Sequence, residues 1–191
     1  EGLEPGDRLL HAGALNWTYT LGTGLMDPWV AGACALIPAA GVEAGQLGLL
    51  ARRFDATIIA AAPGVFRQML RAGLPPLRAL RHGLAAGESL APALRADWRA
   101  ATGTDLHEAL GMSECSTFIS GSPARPAPAG TAGFAQPGRR VAVLSPEGAP
   151  VARGEAGALA LERGDPGLFL GYLGDRSATE ARLRGDWFLT G

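Results

Sequence analysis

Lysine is absent from this 191-residue sequence, and all 17 of its basic residues are arginine. A mechanism that needs a lysine Schiff base, or the phosphate-binding lysine of a P-loop, is therefore excluded within these residues. A large charge of one sign is also lacking, because the formal net charge is −1. This near-neutral balance argues against nucleic acid or an anionic membrane as the partner and favours a small molecule.

Cysteine is scarce, since only Cys34 and Cys115 occur, and neither belongs to a CxxC motif or a zinc-ligand cluster. A disulfide framework is excluded, so a reducing cytoplasm is the expected compartment and both residues are expected to be small buried apolar side chains. Apolar runs are interrupted well before the roughly 20 residues that a bilayer span needs, and the first residues do not predict a signal peptide. We therefore expect no membrane span.

The first two thirds of the chain alternate strand-like and helix-like segments, which predicts an α/β layer structure. Helices are expected at residues 44–54, 64–72 and 92–101, the last of them ended by Gly103. Strands are expected at residues 8–11, 34–37, 57–61, 83–86 and 105–110.

The composition changes near Pro123, where residues 122–133 are rich in proline, alanine and glycine and predict a surface loop. Beyond this loop, strands are expected at residues 140–144 and 157–161 around a turn. The fold class predicted is α/β, with an α/β subdomain at residues 1–127 followed by part of a smaller β-rich subdomain at residues 128–191.

Ser113 and Glu114 follow the strand expected at residues 105–110, and ligands of open α/β sheets bind at the carboxyl ends of the strands. A carboxylate beside a hydroxyl can hold Mg²⁺ while the hydroxyl donates to a phosphate oxygen. A solvated turn explains the same pair. The residues that follow, STFISGSP, are interpreted as a hydroxyl-rich loop.

A second candidate site is the Gly87-Glu88-Ser89-Leu90-Ala91 turn between a strand and a helix. It resembles the nucleophile elbow of α/β-hydrolases, in which a triad would use Ser89 with Asp105 and His107. The segment at residues 11–14 would be a diluted oxyanion loop. A tight strand-to-helix turn with no catalytic role is the alternative.

Trp17 lies in LNWTYTLGTGL, where it is followed by Gly22 and Gly24. Core packing explains such a tryptophan, and so does a place in the wall of an apolar ligand pocket. Together with Gly111, these glycines are expected to leave space for a ring or a medium aliphatic chain.

Four short motifs occur in order along the chain: GES at residues 87–89, LGMSE at 110–114, GEAGAL with PGLFLGY at 154–172, and GDWFLTG at 185–191. In this order and spacing they resemble the motifs of the acyl-activating, adenylate-forming enzymes. That superfamily includes acyl-CoA synthetases, aryl-CoA ligases and the adenylation domains of peptide synthetases. The resemblance spans nearly the whole chain.

The resemblance implies a two-step reaction, in which a carboxylate attacks the α-phosphate of ATP to give an acyl-adenylate and pyrophosphate, and a thiol then displaces AMP. Ser113 would contact phosphate and Glu114 would bind Mg²⁺, which makes these two the catalytic residues. Glu108 would accept from the adenine amino group. Trp17 and Gly111 would border the acid. The remaining nucleotide contacts implied are Gly87, Glu88, Ser89, Ala109, Leu110, Gly111 and Met112.

Two residues depart from the family pattern, because Leu110 replaces an aromatic and Ala158 replaces a glutamate. The phosphate loop with its lysine would precede residue 1, while a ribose-binding aspartate and a lysine-bearing C-terminal domain would follow Gly191. We therefore expect an internal fragment of the N-terminal domain, inactive alone.

The function expected is that of an AMP-forming acyl-CoA synthetase, with ATP, Mg²⁺ and coenzyme A as cofactors or co-substrates and a free carboxylic acid as substrate. The alternatives are a peptide-synthetase adenylation domain, a serine hydrolase that uses Ser89, and a non-catalytic nucleotide-binding module.

Overall fold

A computed structural model describes residues 2–191, and seven of its strands form one sheet in the order β2-β1-β3-β4-β5-β6-β7. Strands β1 to β5 pair in parallel, whereas β6 pairs antiparallel with both β5 and β7. The strands are β1 Arg8–His11, β2 Cys34–Leu36, β3 Ile58–Ala61, β4 His82–Ala86, β5 Asp105–Met112, β6 Ser116–Ser120 and β7 Phe134–Ala135.

The parallel strands are joined by helical crossovers whose ends follow the local sequence. Pro63 and Pro92 occupy the first turns of their helices, where a missing N–H costs nothing, and Gly103 ends the second helix in the left-handed conformation. The helices are α1 Thr18–Leu21, α2 Asp27–Val30, α3 Leu47–Arg53, α4 Pro63–Ala72, α5 Pro92–Thr102 and α6 Arg176–Ala181. A π-helical turn, Gly22–Met26, joins α1 to α2, and a 3₁₀ turn, Ala44–Gln46, precedes α3.

A second, smaller sheet contains four antiparallel strands in the order β10-β11-β9-β8. Its strands are β8 Val141–Leu144, β9 Ala158–Glu162, β10 Leu183–Arg184 and β11 Trp187–Leu189. The predicted fold class, an α/β layer followed by a smaller β-rich part, is therefore confirmed. The predicted subdomain boundary at residue 127 falls in the loop between β6 and β7 and stays a prediction.

Two expectations about local structure were wrong. Residues 116–120, interpreted as a loop, form β6, because Phe118 is buried and its neighbours pair with β5. Cys34 is exposed at the start of the edge strand β2, whereas Cys115 is buried as expected.

Among residues 2–191, no helix combines the length and the apolar composition that crossing a bilayer requires.

Both faces of the larger sheet are buried, as expected for parallel strands with near-continuous apolar runs. On one face, Trp98 of α5 is fully buried and packs edge-on against Phe66 of α4, with 4.9 Å between ring centroids. On the other face, Tyr19 of α1 packs on Leu9 and Leu84. The sheet is therefore a rigid base for the residues at the ends of its strands.

An ion pair fastens the amino-terminal side of the sheet, where Arg81 Nη1 lies 2.6 Å from Asp7 Oδ2. The Asp7 side chain is 2% exposed and also accepts a 2.7 Å hydrogen bond from the Thr57 hydroxyl. Burial raises the pKa of Asp7, but the hydrogen bonds from Thr57, Arg81 and Glu4 outweigh it, so the pKa lies below its usual value near 3.8.

We expect Asp7→Asn to lower the free energy of unfolding by about 3 kcal/mol at pH 7, because it leaves Arg81 without its buried partner. A carboxyl with a lowered folded pKa stabilises the protein above its unfolded pKa, and this contribution disappears as the pH falls through the folded value. The difference between variant and wild type in urea unfolding should therefore shrink below about pH 4.

Glu4→Gln is the matched control, since Glu4 also faces Arg81, at 3.3 Å, but its side chain is 70% exposed. It should change the free energy of unfolding by less than about 0.5 kcal/mol. Equal effects of the two substitutions at pH 7 would contradict the stabilising role of the buried pair.

Candidate active site

The carboxyl ends of β1, β4 and β5 lie at one edge of the larger sheet because these strands are parallel. The turn at residues 87–89 follows β4, and Ser113 and Glu114 follow β5. Trp17 comes shortly after β1, at the amino end of α1. The edge at which open α/β sheets bind ligands therefore carries all three groups of predicted site residues.

A large cavity of about 580 Å³ opens at this edge. Its walls are the turn after β4, the last part of β5, the start of α5 and the loop at residues 127–132. Most of the predicted nucleotide residues line it: Gly87, Glu88, Ser89, Glu108, Ala109, Leu110 and Gly111. This volume lies within the range of small-molecule and cofactor pockets.

Glu108 lines the large cavity and is held by two neighbours. One of its oxygens accepts from the Leu90 N–H at 3.2 Å, and the other lies 2.9 Å from Arg95 of α5. The Glu108 side chain is only 14% exposed. These contacts fix the carboxylate in one orientation, and each oxygen keeps a lone pair for a further donor.

A small cavity of about 50 Å³ adjoins the large one and shares Gly87 and Gly111 with it. The other residues around the small cavity are Trp17, Thr18, Tyr19, Ala86, Met112, Ser113, Ser116 and Thr117. The predicted substrate residues, Trp17 and Gly111, therefore lie together, and Met112 and Ser113 join them.

Gly87 has a φ of 93°, which favours glycine, and its missing side chain faces the ring of Trp17. A Cβ at this position would lie 2.9 Å from the Trp17 ring. The tryptophan therefore packs directly on the backbone of the turn after β4.

Ser113 is held by a hydroxyl that the sequence did not indicate. The Thr18 hydroxyl donates to Ser113 Oγ at 3.1 Å, which leaves the proton of Ser113 available for another acceptor. Ser113 is exposed, so a ligand at the small cavity can reach it.

Glu114 is positioned by the segment between β9 and α6. The Tyr172 hydroxyl donates to Glu114 Oε1 at 2.7 Å, and the Phe169 N–H donates to the Glu114 carbonyl at 2.7 Å. The hydrogen bond to Glu114 raises the pKa of Tyr172, so the phenol remains protonated and donates. Tyr172 belongs to the PGLFLGY motif, whose contact with Glu114 was not predicted from the sequence.

His11, the last residue of β1, is buried against Trp17 and Tyr19. Burial lowers its pKa to about 4, so the imidazole is neutral near pH 7. Its Nδ1 accepts from the Gly13 N–H at 3.0 Å, which places the ring proton on Nε2.

The structure does not assemble a catalytic triad around Ser89. His107 packs against His82, with 5.5 Å between ring centroids, and burial lowers its pKa. Glu108, the next residue of β5, faces the turn that contains Ser89, so His107 points to the opposite face of the sheet. Within residues 2–191, no hydrogen bond joins Ser89 to a histidine.

Sequence reasoning missed Arg95, Thr18 and the loop at residues 127–132 as parts of this site. Arg95 lies four residues after the Ala91 N-cap of α5, and nothing in its local pattern distinguishes it from other surface arginines. The loop carries only small and apolar residues besides Thr131, so its composition indicates a linker. Their roles become visible only when the strands are assembled.

In a comparison with known protein families, the family model described as AMP-binding enzyme matches residues 1–173 of this chain. Among curated proteins, the mitochondrial acyl-coenzyme A synthetase ACSM3 of Mus musculus is 28% identical over 188 residues, which cover 92% of this chain and 31% of that protein. The mitochondrial ACSM5 of Mus musculus is 31% identical over 173 residues, which cover 87% of this chain and 30% of that protein. The chain thus spans about a third of these relatives.

Among solved structures, the anthranilate CoA ligase AuaEII in complex with anthranoyl-AMP superposes with a TM-score of 0.90 at 28% identity, covering 100% of this chain and 37% of that one. A benzoate CoA ligase from Burkholderia xenovorans LB400 gives a TM-score of 0.88 at 27% identity, covering 100% of this chain and 39% of that one. The family match extends over most of the sequence, and the folds agree over its whole length. The chain therefore belongs to the AMP-binding enzyme family.

Proposed function

We propose that this chain forms the nucleotide and acid sites of an AMP-forming acyl-CoA synthetase, an acid-thiol ligase. The observation that carries the proposal is the pair of adjoining cavities at the carboxyl ends of β4 and β5, one large and one small, with Ser113 at the small one. A carboxylic acid in the small cavity and a nucleotide in the large cavity would meet at Gly87 and Gly111.

The large cavity suits the adenosine part of ATP or AMP. The turn at residues 87–89 offers a backbone surface for the adenine ring, and Leu110, which is 39% exposed, adds an aliphatic side chain to the same cavity. Glu108 would accept a hydrogen bond from the adenine amino group, since its bonds to Leu90 and Arg95 leave acceptor capacity.

Ser113 would donate its hydroxyl proton to a phosphate oxygen. The Thr18 hydroxyl donates to the Ser113 oxygen, so the donor is oriented before the ligand binds. Fixed donors of this kind stabilise the charge that develops on phosphate oxygens during displacement at phosphorus.

A magnesium ion fits the residues present only if the nucleotide supplies most of its ligands. In residues 2–191, no group of three or more histidine, cysteine, aspartate or glutamate side chains is arranged to hold a metal. Mg²⁺ commonly takes one or two protein carboxylates together with phosphate oxygens and water, and Glu114 provides one carboxylate. The ion would supply neutralisation of phosphate charge, and Tyr172 would hold Glu114 in position for it.

Coenzyme A is the thiol acceptor that we propose, because the curated relatives are acyl-coenzyme A synthetases by name. A carrier-protein thiol, as in a peptide-synthetase adenylation domain, remains the alternative acceptor. These relatives are mitochondrial by name, and the cytoplasmic compartment stays a prediction.

Glu114→Gln should lower acid-dependent ATP–pyrophosphate exchange by about 100-fold or more, because it removes the carboxylate charge that would bind Mg²⁺ beside the phosphates. The measurement uses the longest open reading frame that contains residues 1–191. Thioester formation from supplied acyl-adenylate should fall much less, since that step no longer involves pyrophosphate.

Tyr172→Phe is the matched control, because it keeps the carboxylate of Glu114 and removes only one hydrogen bond to it. It should lower exchange by about tenfold, with an increased requirement for Mg²⁺. Equal losses in both half-reactions for Glu114→Gln would contradict the proposed role of this residue.

Ser89 should not react with a fluorophosphonate probe, because among residues 2–191 no histidine forms a hydrogen bond with its hydroxyl. Intact-mass analysis of the treated protein checks this, with Ser89→Ala as the reference. A covalent adduct on wild type that is missing from Ser89→Ala would support the hydrolase alternative and contradict the adenylation proposal.

A further inference from the structure

Arg139 and Asp165 form a buried ion pair close to the turn that carries Glu114. Arg139 Nε lies 3.2 Å from Asp165 Oδ1, and the two side chains are 11% and 0% exposed. Asp165 Oδ1 also accepts a 2.9 Å hydrogen bond from the Gly167 N–H, and its Oδ2 accepts one of 2.9 Å from the Arg140 N–H. The carboxylate therefore binds donors of the protein itself and has no contact with solvent.

The Arg139 guanidinium also reaches the turn at residues 113–115, which joins β5 to β6. Its Nη2 donates to the carbonyl of Cys115, the last residue of this turn. Gly167 makes the approach possible, because a Cβ added there would overlap the guanidinium. A planar guanidinium can bind acceptors along two of its edges, so Arg139 ties the turn to the loop that contains Asp165.

Glu114, the middle residue of the turn, is held from the same side. The Phe169 N–H donates to its carbonyl and the Tyr172 hydroxyl donates to its carboxylate, each at 2.7 Å. Two consecutive carbonyls of the turn, those of Glu114 and Cys115, are thus bound by residues outside the hairpin. Because a peptide unit is planar, fixing both carbonyls fixes the direction in which the Glu114 side chain leaves the backbone.

Stability alone does not explain a buried pair of this kind. Desolvation of two charges offsets much of their attraction, and apolar residues of similar volume are often as stable or more stable. The neighbouring pair of Arg140 and Glu162 differs, since its side chains are 65% and 34% exposed. Among residues 2–191, the Arg140 side chain forms no hydrogen bond with the turn. What distinguishes Arg139 is that Asp165 aims its guanidinium at the turn.

We propose that Arg139 is a positioning residue for Glu114: its pair with Asp165 directs the guanidinium to the Cys115 carbonyl, which restrains the turn and keeps the Glu114 carboxylate in place for Mg²⁺. The role of Glu114 toward Mg²⁺ rests on the proposed adenylation function. The restraint on the turn can be measured separately, without metal or nucleotide.

The test compares Arg139→Met and Arg139→Lys with wild type, in the longest open reading frame that contains residues 1–191. Arg139→Met removes both contacts, whereas Arg139→Lys keeps a charge beside Asp165 and lacks the second edge of donors. If the uncompensated Asp165 unfolds the first variant, the second still provides the test. Arg140→Met is the matched control, because it removes the exposed neighbouring pair, and thermal unfolding checks that each variant is folded.

The first measurement is the alkylation rate of Cys115 by iodoacetamide, read by peptide mass spectrometry with the exposed Cys34 as internal reference. Burial raises the pKa of the Cys115 thiol to about 11, so it should resist alkylation in wild type. Both Arg139 variants should raise the rate of Cys115 relative to Cys34 by about tenfold or more, because the turn opens locally more often. Arg140→Met should leave this ratio unchanged.

The second measurement is the Mg²⁺ concentration that gives half-maximal acid-dependent ATP–pyrophosphate exchange. Both Arg139 variants should raise it by about tenfold, the effect typical of losing a residue that orients a metal ligand. A loss of stability alone would lower the amount of active protein without changing this concentration. Arg139→Lys combined with Tyr172→Phe should raise it by less than the product of the single effects, because both substitutions act on Glu114.

The outcomes separate this inference from the proposed function. No exchange by wild type with acids from acetate to benzoate would overturn the adenylation function and with it the Mg²⁺ role of Glu114, while the alkylation of Cys115 would still test the restraint. Cys115 as protected in both Arg139 variants as in wild type would overturn the restraint. Exchange with an unchanged Mg²⁺ requirement in these variants, or with the same change in Arg140→Met, would overturn the link to Glu114.

Discussion

Gly111 lies so close to β6 that a side chain there would meet the Ser116 carbonyl and the Thr117 Cα. This close approach coincides with a register shift between Leu110 and Gly111, a bulge of the kind that redirects a strand near a site. The chain then reverses through Ser113 and Glu114, and Ser116 adopts a positive φ of 55°. The predicted phosphate and metal residues therefore owe their position to one tightly packed hairpin.

Segments next to the strands of the smaller sheet pack against this hairpin. Tyr172 and the Phe169 N–H bind Glu114, while Arg139 donates to the Cys115 carbonyl and pairs with the buried Asp165. Cys115 and Phe118 share an apolar cluster with Leu161 of β9. The PGLFLGY motif therefore contacts Glu114 directly, through the Tyr172 hydroxyl and the Phe169 N–H.

Local patterns predicted the elements whose signals are local. Pro63, Pro92 and Gly103 mark the ends of α4 and α5, and the apolar runs mark β3 and β4, so these elements were confirmed. Strand β6 was missed because its serines and threonine resemble a loop, while the pairing that stabilises it lies on β5. The bond between Tyr172 and Glu114 joins residues 58 positions apart, and no local pattern reports it.

Glycine is the residue type for which the sequence was most ambiguous. A glycine beside a ligand site can leave room for the ligand, or it can leave room for the protein's own atoms. The sequence alone does not distinguish these two roles. Here Gly24 admits His11 and Gly111 admits the backbone of β6. Gly22, in contrast, has no atom within 4 Å of an added Cβ, so the number of glycines alone cannot measure the space that is available to a ligand.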